Sequence, residues 1–115
     1  MKIKTSELSG VQLDWAVCKA RGEHQHPYDE YTPTWMANRR YSEDWAKGGP
    51  IIEQEGISLY LDTNNLWQAN IFDDNPAVFF GSGVEGSTPL IAAMRCYVAS
   101  KLGDEVEVPN ELKGE

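Results

Sequence analysis

The segment from Thr88 to Gly103 carries the strongest structural signal in this sequence of 115 residues. Thr88 is a favourable helix cap, Pro89 suits the first helical position, and Gly103 is a typical helix stop. Between them the sequence has the broad apolar face of a helix. Its members are a stripe of Leu90, Met94, Tyr97 and Lys101, and the flanking residues Ile91, Val98 and Leu102. The pattern predicts a helix over residues 89–102 that packs its apolar face against the rest of a domain.

The remaining regular segments complete an α+β pattern. Residues 11–21 are predicted to form an N-terminal helix, because Val11, Trp15 and Cys18 share one helix face. Three further segments are predicted to be strands: residues 57–61, 66–72 and 77–80. Since short turns join them, we expect a three-stranded antiparallel meander packed with an N-terminal and a C-terminal helix.

Residues 23–50 lack a regular pattern and contain three prolines and a Gly-Gly pair. Ser42 is predicted to cap a short helical turn that ends at Gly48-Gly49, and Pro50 is predicted to open another turn over residues 51–55. A connection this long is uncommon in a compact domain unless it is functional or disordered, and its many aromatic side chains argue against disorder. We therefore expect this segment to contribute the working surface.

The length and composition predict one globular domain over residues 1–103, followed by an exposed acidic tail over residues 104–115. No apolar run is long enough to cross a bilayer, and the N-terminus lacks the hydrophobic stretch of a signal peptide, so a cytoplasmic location is expected. In that compartment Cys18 and Cys96, the only cysteines, are predicted to be buried and reduced.

The net charge of −8 is unevenly distributed along the chain. Residues 1–47 contain seven basic and seven acidic side chains, whereas residues 48–115 contain three basic and eleven acidic ones. Broad nucleic-acid binding is disfavoured, because it requires a clustered positive surface. A local pocket for an anion remains open in the N-terminal half.

Several blocks of the sequence resemble the NinX-type family of small bacteriophage proteins, found in phage and prophage genomes of enteric bacteria. The matching blocks are MKIKTSEL (residues 1–8), LDWAV (13–17), YS (41–42), DWA (44–46), GGPIIE (48–53) and STPLIAAMRCYVASKLG (87–103). The resemblance implies a phage-encoded accessory protein in the cytoplasm of the bacterial host, with no established reaction and no catalytic residues. At the level of the fold, the chain is also similar to small phage alpha–beta–alpha sandwich domains.

A candidate ligand site combines guanidinium groups, aromatic rings and two glycine-rich helix starts. Guanidinium groups grip phosphate or carboxylate, aromatic planes stack on bases, and free N–H groups at helix starts attract anions. The candidate ligand-binding residues are Trp35, Arg39, Arg40, Tyr41, Asp44, Trp45, Gly48, Gly49, Ser87, Thr88 and Arg95. The structural alternative is that the tryptophans are core, the arginines pair with neighbouring acids, and the glycines only end helical turns.

His24 and His26 form an H-x-H pair, and Asp29 and Glu30 follow closely enough to complete a metal site. Such pairs are common by chance, so we interpret both histidines as surface residues and predict neither a metal nor a cofactor. Recognised catalytic motifs are absent from the sequence, which leaves Asp44 as the best single acidic candidate.

The leading hypothesis is a non-enzymatic phage accessory protein that binds a small anionic aromatic ligand, such as a nucleotide, between residues 35–53 and the start of the last helix. It would sequester that ligand to counter host physiology or defence. The alternative is a protein-interaction module whose acidic half, residues 48–115, binds a basic host protein. A third reading is an enzyme acting through His24, His26 or Asp44. We expect no membrane partner, and two free sheet edges make a homodimer credible.

Overall fold

A computed structural model describes residues 1–22, 39–71, 84–109 and 112 of the chain. In chain order the described elements are strand β1 (Lys2–Lys4), a 3₁₀ turn (Thr5–Glu7), helix α1 (Gly10–Ala20), helix α2 (Trp45–Glu55), strands β2 (Ile57–Leu61), β3 (Trp67–Ile71) and β4 (Val84–Gly86), helix α3 (Pro89–Leu102) and strand β5 (Glu105–Glu107). The predicted α+β class is confirmed, as are the bounds of the last helix and, within one residue at each end, those of the first.

Helix α3 is the central element of the domain. Its N-cap is Thr88, whose side-chain oxygen accepts the backbone N–H of Ile91 at 3.1 Å. The helix contacts α1, α2 and all three strands of the meander, and seven of its side chains are buried: Leu90, Ala92, Ala93, Met94, Cys96, Tyr97 and Val98. The burial of Leu90, Met94, Tyr97 and Val98 agrees with the predicted broad apolar face, and Ala92, Ala93 and Cys96 extend the buried surface beyond it.

The meander is antiparallel, with strand order β2-β3-β4. The third strand predicted at residues 77–80 lies outside the described residues, and β4 falls within the segment that was predicted to be a glycine-rich loop. Gly86 explains how β4 packs there: a Cβ atom at this position would lie 2.4 Å from the backbone nitrogen of Ala92. The strand therefore approaches α3 backbone to backbone.

Strands β1 and β5 form a second, two-stranded antiparallel sheet that joins the two ends of the described chain. The register places Lys2 opposite Glu107 and Lys4 opposite Glu105, so opposite charges face each other across the ribbon. The prediction of an exposed acidic tail is wrong here, because Val106, Val108 and Leu112 are buried in the core. The alternation of Glu and Val over residues 105–108 is the two-residue period of a half-buried strand.

Helix α2 runs without interruption through Gly48, Gly49 and Pro50, where the sequence predicted one turn ending and another beginning. Its true stop is Gly56, which adopts a left-handed conformation at φ 65°. Cys18 and Cys96 are both buried and are not joined by a disulfide, as predicted. None of the helices within the described ranges is long and apolar enough to cross a membrane.

Candidate functional site

A buried carboxylate fixes the chain just ahead of α2. Asp14 on α1 is 3% exposed and accepts the backbone N–H of Ser42 at 2.8 Å. Burial raises the pKa of the Asp14 carboxyl above 3.8, although hydrogen bonding from Ser42 and the charge of Arg40 act in the opposite direction. The sequence analysis missed Asp14. The available signal was its spacing, since it lies three residues after Val11 and four before Cys18, on the edge of the apolar stripe.

The N-terminus of α2 lies at the surface and begins with an exposed tryptophan. Asp44 caps the helix, because its Oδ1 accepts the backbone N–H of Ala46 at 2.9 Å. The prediction that Ser42 is the cap is therefore wrong by two residues. Arg40 forms an ion pair with Glu43. Trp45, the first residue of α2, is 54% exposed.

Gly48 lets α2 lie directly against Tyr41 and the start of α3. A Cβ atom at Gly48 would be 2.5 Å from the carbonyl oxygen of Tyr41 and 2.7 Å from Cδ2 of Leu90. At Gly49 the nearest atom to such a Cβ would be Cε3 of Trp45, at an ordinary 3.9 Å. Gly48 thus serves close packing, and it brings the tryptophan at the head of α2 beside the head of α3.

A groove of about 330 Å³ lies between the two helix starts, and we call it the Trp45 groove. It is lined by Ser42, Glu43, Trp45 and residues 88–91. Ser42 is 2% exposed, and its side chain lies beside the Asp14 carboxylate. A second depression, of about 490 Å³, is lined by Arg40, Glu43, Asp44 and Trp45, so Trp45 and Glu43 border both.

The polar groups of the Trp45 groove are mostly donors. The Thr88 hydroxyl oxygen accepts the N–H of Ile91, which leaves the hydroxyl hydrogen available to a ligand. The backbone N–H of Ala92 donates to the carbonyl of Thr88 and makes the first backbone hydrogen bond of α3. The N–H of Leu90 lies ahead of this bond, among the N–H groups that have no carbonyl partner within the helix. The Leu90 N–H is therefore one of the helix-start groups that can face an anion.

The structure brings together some of the predicted ligand-binding residues and separates others. Trp45 and Thr88 share the groove, while Arg40 and Asp44 lie beside the other side of Trp45. Six further candidates do not line the groove: Arg39, Tyr41, Gly48, Gly49, Ser87 and Arg95. Trp35, His24, His26, Asp29 and Glu30 lie outside the described residues.

Two of those candidates have structural contacts instead. The Tyr41 ring is 6% exposed, and the Arg21 guanidinium lies 5.4 Å from its centroid. Arg95 donates from Nε to the carbonyl of Leu8 at 2.7 Å and from Nη1 to the carbonyl of Glu85 at 2.9 Å. Arg95 thus ties the turn after β1 to strand β4.

Comparison with known families identifies the class of protein. The family model described as Bacteriophage P22, NinX matches residues 4–101, which include every residue that lines the groove. The chain is therefore a phage protein of α+β architecture and belongs to the NinX family. No curated protein matches the chain. Among the described residues, no three His, Cys, Asp or Glu side chains come together as metal ligands.

Proposed function

We propose that this phage protein is a non-enzymatic accessory factor that binds a small anionic ligand with a flat ring, such as a nucleotide, in the Trp45 groove. The observation that carries the proposal is the exposure of Trp45 at the mouth of a groove that ends at the N-terminus of α3. A Trp ring left half in water offers a stacking face, and stacking one base is worth about 1–3 kcal/mol.

The other end of the groove supplies groups that suit an anion. The N–H of Leu90, the hydroxyl of Thr88 and the positive end of the α3 dipole converge there. The groove therefore suits a ligand that carries one flat ring and one acidic group.

The size and charge of the site favour a small molecule over a polymer. At about 330 Å³ the groove falls at the lower end of the range of about 300–1,000 Å³ for ligand pockets. Long nucleic acids require many phosphate contacts, whereas this chain carries a net charge of −8. Sequestration of such a ligand from the host is the role we assign to a phage protein of this kind.

The proposal is tested by titration calorimetry of the full chain with a panel of nucleoside monophosphates. Wild type should bind at least one of them, and Trp45→Ala should abolish that binding. Tyr60→Ala is the matched control, because Tyr60 is similarly exposed at 49% and does not line the groove. Absence of binding to the whole panel, or equal binding by Trp45→Ala, would contradict the proposal.

Binding of a basic host protein by the acidic half of the chain stays a prediction. In the β1–β5 ribbon Glu105 and Glu107 face Lys4 and Lys2, which weakens the negative field in that part of the surface. We therefore favour ligand binding in the Trp45 groove over binding of a basic host protein as the function of this chain.

A further inference from the structure

The Trp45 groove contains a carboxylate that an anion-binding site alone does not require. Glu43 lies in its wall next to Trp45, and it is the only charged side chain that lines the groove in the described part of the chain. Arg40 donates from Nη2 to Oε2 of Glu43, so the second oxygen, Oε1, remains available. The Glu43 side chain is about half exposed, which allows a ligand to reach it.

An ionised carboxylate accepts hydrogen bonds and cannot donate them. A ring stacked on Trp45 with its edge toward Glu43 must therefore present N–H groups at that edge, since an acceptor there would be repelled. The donors at the other end of the groove belong instead to Thr88 and Leu90, at the start of α3. One ligand must therefore present hydrogen-bond donors at the Glu43 end of the groove and an anionic acceptor at the end formed by the start of α3.

Among the common nucleobases, guanine meets this requirement best. Its N1–H and its exocyclic N2 amino group are adjacent donors on one edge, so this edge can donate to Oε1 of Glu43 without bringing a ring-nitrogen acceptor to the carboxylate. Adenine and cytosine place a ring-nitrogen acceptor next to their amino group, and uracil flanks its single N–H with two carbonyl oxygens. These three bases would each direct at least one acceptor at Glu43.

We propose that the ligand of the Trp45 groove is a guanine nucleotide, whose base stacks on Trp45 and donates to Glu43 while its phosphate lies at the start of α3. This inference rests on the proposed function and adds to it the identity of the base. It makes Glu43 the residue that determines specificity and Trp45 the residue that supplies most of the affinity.

The test compares GMP, IMP and AMP by titration calorimetry on the full chain. Inosine keeps N1–H and lacks the N2 amino group, so the affinities should fall in the order GMP, IMP, AMP. GMP should bind roughly tenfold or more tightly than AMP, as expected for hydrogen bonds to a charged group.

The variant Glu43→Gln should weaken GMP binding about tenfold and reduce the preference for GMP over AMP, because an amide can donate to the adenine ring nitrogen. Glu53→Gln is the matched control, since Glu53 is an exposed acid of α2 that does not line the groove, and it should bind like wild type. Thermal unfolding should show that both variants fold.

The outcomes separate this inference from the proposed function. Equal binding of GMP and AMP, both lost in Trp45→Ala, would overturn the guanine assignment and leave the proposed function standing. A preference for GMP that Glu43→Gln leaves unchanged would overturn the role of Glu43. Failure of every nucleotide to bind would overturn both proposals.

Discussion

The Asp14 carboxylate and the Ser42 backbone N–H are joined by a 2.8 Å hydrogen bond across 28 positions of the sequence. The bond ties α1 to the segment that leads into α2 and thereby fixes where Trp45 emerges. Asp14→Ala would leave the Ser42 N–H buried without a partner, and we expect a loss of about 1–3 kcal/mol in the free energy of unfolding. Urea denaturation measures this loss. Asp14→Asn, which keeps the acceptor oxygen, should lose less; an equal loss in both variants would show that the hydrogen bond is not the cause.

Titration of Asp14 makes a separate prediction about pH. Because burial raises the pKa of this carboxyl in the folded state, the folded protein binds more protons than the unfolded chain at pH values just above 3.8. Stability should therefore fall as pH rises through that window. Asp14→Asn does not titrate, so wild type should lose stability relative to this variant over the same range. Parallel pH profiles of the two unfolding free energies would contradict the assignment.

The two adjacent glycines of α2 should respond in opposite directions to the same substitution. Gly48→Ala places a methyl group against the Tyr41 carbonyl and the Leu90 side chain, and we expect a net loss of about 1–2 kcal/mol after the gain in helix propensity. Gly49→Ala meets only an ordinary contact with Trp45 and should gain about 0.5–1 kcal/mol. Thermal unfolding of the pair is the measurement, and stabilisation by both would show that α2 can move away from α3 without penalty.

The β1–β5 ribbon should contribute to global stability through Val108. This side chain is fully buried, and its backbone N–H donates to the carbonyl of Met1 at 2.8 Å. Removing its two outer carbons in Val108→Ala should cost about 1.5–3 kcal/mol in urea denaturation. Glu107→Gln, which affects the exposed ion pair with the Met1 amine and the cross-strand charge pair with Lys2, should cost no more than about 1 kcal/mol. A loss as small in Val108→Ala as in this control would contradict a packed ribbon.

Both thiols should be unreactive while the protein is folded. Burial raises the pKa of Cys96 to about 11, and Cys18 is 2% exposed. At pH 8 only about one Cys96 thiol in a thousand is ionised, and the thiolate is the reactive form. Ellman's reagent should detect almost no thiol in the native protein and two thiols after denaturation. Rapid native labelling would show that the core around α3 opens readily.

The parts of the fold that the sequence predicted well are those with local signals. Thr88, Pro89 and Gly103 mark both ends of α3, and each acts within one helical turn. The continuity of α2 was not predicted, because Gly48, Gly49 and Pro50 are local helix breakers. In the structure Gly48 allows α2 to lie close to Tyr41 and Leu90, a contact with a distant segment that local sequence signals do not reveal.

The site could be predicted in outline and not in detail. The sequence placed Trp45 and Thr88 on two segments that we expected to enclose a common space, and the structure puts both on one groove. The sequence could not show that the Tyr41 ring is buried or that Arg95 donates hydrogen bonds to two backbone carbonyls, since both depend on contacts with distant segments. The sequence predicts Glu43 as a helix-start carboxylate or a partner for arginine, whereas its place in the groove wall depends on the packing of α2 on α3.

The pairing of β1 with β5 also constrains the order in which the protein can fold during synthesis. Residues 2–4 leave the ribosome well before their partners at residues 105–107 have been synthesised. Until then the Lys2–Lys4 strand and the core residues beneath it stay exposed, because contacts of such long sequence separation form only when both segments are free. A nascent chain stalled before β5 should therefore remain open to proteases and chaperones, and the ribbon should form only after β5 has left the ribosome.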